Sequence, residues 1–179
     1  MSDLTQRLDR PIALVGMMGA GKSTVGRRLA RLLDLDFVDS DDAIEEACGL
    51  SAGEVFQKFG ETEFRDGERR IIARLLEKGI QVIATGGGAF IDDGTRKILK
   101  EKAVTVWLDA SIDVLAARTA GRDTRPLLNT PDPRATIEQL MEKRRPLYAQ
   151  ADVQVTSGNV AHREVVNWIA NAIEEHLSR

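Results

Sequence analysis

Cysteine is nearly absent from this chain of 179 residues: Cys48 stands alone, so no internal disulfide can form, and the only two histidines lie far from it and complete no metal-ligand pattern. Such usage fits a reducing cytoplasm. Long hydrophobic runs are missing too. No stretch approaches the length of a membrane span, and Met1 to Arg10 hold no apolar signal core, so the expectation is a short solvated tail and no membrane partner. Charge of one sign is not in excess: 25 Lys and Arg against 28 Asp and Glu leave a formal net charge of -3, and the pI is near 5.5. There is no basic field for nucleic-acid binding, and any positive potential must be local. Internal repeats and low-complexity segments are absent as well. What remains, 42% hydrophobic and 30% charged residues, is ordinary for a soluble domain. The length suits one domain, 1–179, with a core that needs no staples, and the expectation is a monomer.

Against this plain background one segment stands out. Gly16 to Thr24 read Gly-Met-Met-Gly-Ala-Gly-Lys-Ser-Thr, a complete Gly-x-x-x-x-Gly-Lys-[Ser/Thr] loop directly after the apolar run Pro11 to Val15. Glycines let backbone N–H groups turn toward oxyanions, and a helix starting at Lys22 adds the partial positive charge of its N-terminus. Lys22 would reach the terminal phosphates of a nucleoside triphosphate, and the Ser23 hydroxyl would hold Mg²⁺. The competing reading is a glycine turn that merely carries a lysine, but the strand–loop–helix context that the motif requires is present as well.

Short apolar runs alternate with longer segments of helical period, which predicts an α/β layered fold with a parallel sheet. Strands are expected near Ile12 to Val15, Phe37 to Asp39, Gln81 to Thr85, Val104 to Leu108 and Val153 to Val155. Val25, Leu29, Leu32 and Leu33 give the first helix one buried face, and Val165, Ile169, Ala172 and Ile173 do so for the last. Two stretches interrupt the alternation: a long helical insertion from about Ser51 to Lys78, and Thr119 to Pro133, whose Gly121, Pro126, Pro131 and Pro133 read as an exposed, mobile connection of the kind that forms lids.

Helical spacing also puts charges where core residues belong. Ile72, Leu75 and Leu76 define an inward stripe that continues back to Glu68, Arg65 and Glu61, and Ile137, Leu140, Met141 and Tyr148 define another with Arg144 at its centre. A buried arginine needs a partner. Internal salt bridges, such as Arg65 with Glu68, are one reading; a small anionic substrate gripped by two guanidinium planes is the other. Asp39-Ser40-Asp41 ends the second strand and Gly86-Gly87-Gly88 follows the third, both at the edge where open α/β sheets bind ligands. Helix capping and a tight turn are their structural readings, and these can hold together with the functional ones.

The phosphate loop, Asp39-Ser-Asp41, Phe64-Arg65-x-x-Glu68, Gly86-Gly-Gly88, Arg125-Pro-Leu-Leu128 and Arg144-x-Pro-Leu-Tyr148, in that order, closely resemble the shikimate kinase family. The resemblance runs from about Ile12 to the C-terminal helix. It implies a P-loop NTPase fold akin to nucleoside monophosphate kinases, a five-stranded parallel sheet flanked by helices, with a substrate-binding insertion at about 40–78 and a lid at about 119–133. It implies ATP-dependent phosphorylation of the 3-hydroxyl of shikimate, a step toward the aromatic amino acids. By position it assigns Gly19, Ala20, Gly21, Lys22, Ser23, Thr24, Arg118 and Arg125 to ATP, with Arg118 against the adenine. Ser23 and Asp39 fall to Mg²⁺, Asp41 to the substrate hydroxyl as general base, and Arg65 and Arg144 to the shikimate carboxylate. Gly87 and Gly88 line the site and Glu68 steadies Arg65; Lys22 and Arg125 join Asp41 in catalysis.

One rival for the metal role is Asp109, which ends a Walker B-like run from Val104, whereas the third strand ends in glycine. The resemblance favours Asp39, leaving Asp109 as the start of the next helix, where Ser111 and Asp113 suit capping. Other small P-loop kinases, such as gluconate or nucleoside monophosphate kinases, share the first motif but are not expected to combine the rest. A nucleotide-binding module that performs no chemistry is the remaining alternative. Cys48 and Trp168 read as packing residues, and the pair Met17-Met18 as filling for the loop.

Overall fold

Strands made of short apolar runs need cover on both faces, and here helices supply it from either side. The structure is a computed structural model and describes residues 2–120 and 126–179. Strands β1 (Ile12–Val15), β2 (Asp36–Asp39), β3 (Gln81–Ala84), β4 (Val104–Ala110) and β5 (Val153–Ser157) form one sheet in the order β2-β3-β1-β4-β5. All pairings are parallel, with Ile12 opposite both Val82 and Val104. Before, between and after them run α1 (Ser2–Arg7), α2 (Lys22–Leu33), α3 (Ser40–Cys48), α4 (Ala52–Leu76), α5 (Asp93–Lys102), α6 (Ile112–Thr119), α7 (Pro133–Tyr148) and α8 (His162–Leu177). After β1 the chain crosses to one side of the sheet, and after β3 to the other. The loop following β1 therefore lies at the topological switch point, where ligands of such sheets bind.

Local chemistry explains how closely the layers approach. On α2, Val25, Leu29 and Leu33 are buried as their spacing predicts. A Cβ on Gly26 would meet the Phe37 ring at 2.7 Å and Leu14 at 3.1 Å, so only glycine lets α2 lie this near the sheet. Ser51 and Glu54 form a reciprocal capping box that starts α4. Among the described residues, no helix is long and apolar enough to cross a membrane.

Several expectations change. The N-terminal segment is not a solvated tail: Leu4 of α1 and Leu8 just after it are buried, four residues apart, while Thr5 Oγ1 donates to the Leu33 carbonyl at 3.1 Å and Arg7 reaches Ser178 Oγ at 2.9 Å. α4 is broken at Gly60, whose φ of 84° lies outside helical space. Glu61, just past this break, is 70% exposed rather than inward, because the stripe has reached the rim there, although it still faces Arg65 Nε at 3.9 Å. Asp109 does not begin a helix. It pairs with Thr156 inside β4, and Ser111 caps α6 by accepting from Val114 N–H at 3.3 Å. Cys48 and Trp168 are exposed instead of packed, Cys48 because α3 ends there and Trp168 because it falls beside the Val165–Ile169 stripe.

Candidate active site

The loop after β1 holds its shape through left-handed backbone at Gly19 (φ 82°) and Gly21 (φ 95°), conformations that side chains resist. Lys22 opens α2 and folds back, donating from Nζ to the carbonyls of Gly16 (2.6 Å) and Met17 (2.8 Å). Ser23 Oγ donates to Asp39 Oδ2, and Asp39 Oδ1 accepts the Asp41 N–H at 2.9 Å, so Asp39 also caps α3. A cleft of ≈ 330 Å³ opens here; its walls include Gly19, Gly21 to Thr24, Asp39, Asp41 and Arg118. Ala20 is not among them, since its side chain is buried and its N–H bonds to the Met17 carbonyl. Arg118 is anchored by the carbonyls of Ala20 (3.2 Å), Gly19 (3.4 Å) and Gly158 (3.4 Å), which fixes its guanidinium at the cleft wall.

A second pocket, ≈ 130 Å³, shares Met18, Asp41, Gly86 and Gly87 with the first and adds Phe56, Phe64, Arg65, Glu68, Gly88 and Leu127. Arg65 Nη1 lies 2.5 Å from Glu68 Oε2. Burial pushes the Glu68 carboxyl up to about 7 and outweighs the opposing pull of Arg65. Its other oxygen, Oε1, is buried with no hydrogen-bond partner among the described residues. The triple glycine is both a turn, closed by Ala89 N–H on the Gly86 carbonyl, and an open floor. A Cβ on Gly86 would come within 2.9 Å of Glu68 Oε1 and 3.0 Å of Asp41 Oδ1, and one on Gly88 would overlap the Arg65 guanidinium.

Arg144 comes from α7 and is 9% exposed. Its Nη1 faces the Gly87 carbonyl at 3.4 Å and the Met17 sulfur at 3.8 Å, and the guanidinium lies against the Tyr148 hydroxyl; no carboxylate of the described residues pairs with it. Arg144 is not in the wall of the second pocket; with Arg65, Arg69 and Gly88 it lines a third cavity of ≈ 390 Å³, which shares Arg65 and Gly88 with the second. Among the described residues, the internal salt-bridge reading thus holds for Arg65 and not for Arg144. Asp109, by contrast, accepts from Arg145 (3.2 Å) and Gln154 (3.3 Å). Arg125 and most of the first half of the lid lie outside the described residues. Sequence reasoning missed His162 in the nucleotide cleft, held below its ordinary pKa by burial and by Arg28 and Arg118. Its place just after β5, at the ligand edge of the sheet, was the available signal. Phe56 carried none, Leu127 stood only inside the Arg125-Pro-Leu-Leu128 motif, and Met17 and Met18 do more than fill the loop.

A parallel sheet of this order, with a Gly-x-x-x-x-Gly-Lys-Ser cradle at its switch point, defines a P-loop phosphotransferase of the kinase type. Residues 18–174 match the family model described as shikimate kinase, and a shikimate kinase of Rhodopseudomonas palustris is 50% identical over 169 residues, 94% of this chain and 83% of its own. The chain belongs to the shikimate kinase family. Its activity is that family's phosphoryl transfer, with ATP as co-substrate. A shikimate kinase from Acinetobacter baumannii, solved in complex with shikimate, has a TM-score of 0.89 and 36% identity, covering 93% of each chain. A gluconokinase from Sinorhizobium meliloti, at 17% identity and a TM-score of 0.59 over 94% of each chain, shares the fold alone.

Proposed function

We propose that the two adjoining pockets bind ATP and shikimate side by side and that the γ-phosphoryl group passes to the 3-hydroxyl of shikimate across their shared wall at Asp41. The observation that carries this reading is Arg144, a buried guanidinium without a carboxylate partner among the described residues. Such a charge is costly unless an anion arrives, and the planar group suits a carboxylate. Arg65, steadied by Glu68, supplies the second guanidinium.

Asp41 orients the hydroxyl and takes its proton as the oxygen–phosphorus bond forms and the bond to the β-phosphate oxygen breaks, releasing ADP. Gly19, Ala20, Gly21 and Thr24 wrap the phosphates, Lys22 leaves its carbonyl partners for them, and Arg118 lies against the adenine. Arg125 joins from the lid to offset charge on the transferring group. The hard oxygens of Ser23 and Asp39, already bonded to one another, fit Mg²⁺, which keeps water ligands and asks for few protein ones. Ser23 would hold it directly and Asp39 through water, and the ion would supply positive charge to offset that of the triphosphate. The stretch at 40–78 serves as substrate-binding insertion and 119–133 as the lid of a single domain. The lone thiol supports a reducing cytoplasm as its location.

Mass detection after incubation with Mg-ATP and shikimate, with gluconate and nucleoside monophosphates in parallel, tests the reading. A phosphorylated product from shikimate alone is expected. Product from either rival and none from shikimate would overturn it.

A further inference from the structure

Tyr148 closes the Arg144-x-Pro-Leu-Tyr148 run, yet neither the phosphate cradle nor the substrate pocket uses it directly. We propose that Tyr148 is a positioning residue for shikimate: by holding the Gly87 carbonyl, its hydroxyl keeps the Arg144 guanidinium available to the substrate. The inference rests on the reading that Arg144 receives the carboxylate. Tyr148 is fully buried, and its ring stacks on Trp107 with centroids 5.8 Å apart at 25°, so the ring cannot turn away. The hydroxyl donates to the Gly87 carbonyl at 2.5 Å. Arg144, one turn earlier on the same face of α7, points Nη1 at that oxygen from 3.4 Å.

Two donors therefore share one acceptor, the tyrosine holding the shorter bond, and the hydroxyl also lies against the Arg144 guanidinium itself. Burial pushes its hydroxyl up to about 12, so it stays a proton donor at any working pH. On its other side Gly87 is pressed against the phosphate loop, where a Cβ would come within 3.0 Å of Met18 N. Without the hydroxyl, this part-buried acceptor loses its shorter bond, and the donor that remains is drawn closer. That donor is Arg144, which would then be bonded to the backbone when the carboxylate arrives.

Steady-state kinetics of Tyr148→Phe, Arg144→Ala and the double variant test this. Tyr148→Phe should raise KM for shikimate at least about fivefold while KM for ATP stays within about twofold; in the Arg144→Ala background the same change should add less than about twofold, as expected of coupled residues. An unchanged shikimate KM, a parallel rise in both KM values, or equal factors in the two backgrounds would overturn the proposal. Unchanged shikimate KM in Arg144→Ala would instead overturn the carboxylate reading itself. Should Tyr148→Phe fail to fold, the chain's single tyrosine allows a direct probe: 3-fluorotyrosine labels this position alone. Its ¹⁹F resonance should shift saturably with shikimate and stay in place with ADP; a resonance unmoved by saturating shikimate contradicts the proposal.

Discussion

Two carboxyl groups share the space above Gly86, and their surroundings give them different work. Asp41 opens onto both pockets, whereas Glu68 is 1% exposed and tied to Arg65. Asp41→Asn should lower kcat by about 10²- to 10⁴-fold, the range for losing a general base, and leave KM for ATP nearly unchanged; steady-state assays read both. Glu68 should show in stability instead. Its carboxyl binds a proton more tightly folded than unfolded, so its contribution is complete below the ordinary value of 4.5 and fades as pH rises through about 7. Denaturation midpoints from pH 5 to 8 should fall more steeply for the parent than for Glu68→Gln; parallel slopes would contradict the shift. The inward placing of Arg65 and Arg144 was legible from the spacing of neighbouring leucines, isoleucines and methionine. The Arg65–Glu68 pair was legible too, from its i, i+3 spacing, whereas the want of a carboxylate beside Arg144 among the described residues was not, because partners from other elements depend on side-chain reach that periodicity does not encode.

Elements position these groups through close approach, and glycine decides how close. At Gly88 the backbone (φ -106°, ψ -2°) accepts any residue, yet a Cβ there would overlap the Arg65 guanidinium. Gly88→Ala should therefore leave the melting temperature within a few degrees, since the tip of a flexible side chain can yield, while raising KM for shikimate about tenfold; an unchanged KM would show that Arg65 finds an equivalent place. All five strands and the faces of α2, α7 and α8 were readable from apolar spacing, because burial enforces those periods. Three features were not. The break at Gly60 meets no neighbour that a Cβ would touch, and only its φ betrays it. Docking of α1 depends on a groove formed by α2 and α8, which no local pattern announces. The extension of β4 through Asp109 comes from pairing with β5, a contact 47 residues distant for Asp109 and Thr156.

At the scale of the molecule, the switch point of the sheet gathers the phosphate loop, the α3 N-terminus and the triple glycine on one edge, and α4 and α7 each add an arginine. At 179 residues the chain is long enough to bury a core of its own. Sedimentation should accordingly give a monomer near 19.7 kDa, and an obligate dimer would contradict that. The convergence of Arg65, Arg144 and Asp41 beside the nucleotide cleft is the claim on which the account turns, and equilibrium binding of shikimate to Arg144→Ala reaches it most directly. Truncating one side of a buried charge pair costs about 2 kcal/mol or more, so affinity should drop by roughly 30-fold at least while ATP binding is kept. Shikimate bound as tightly by Arg144→Ala as by the parent would contradict the account.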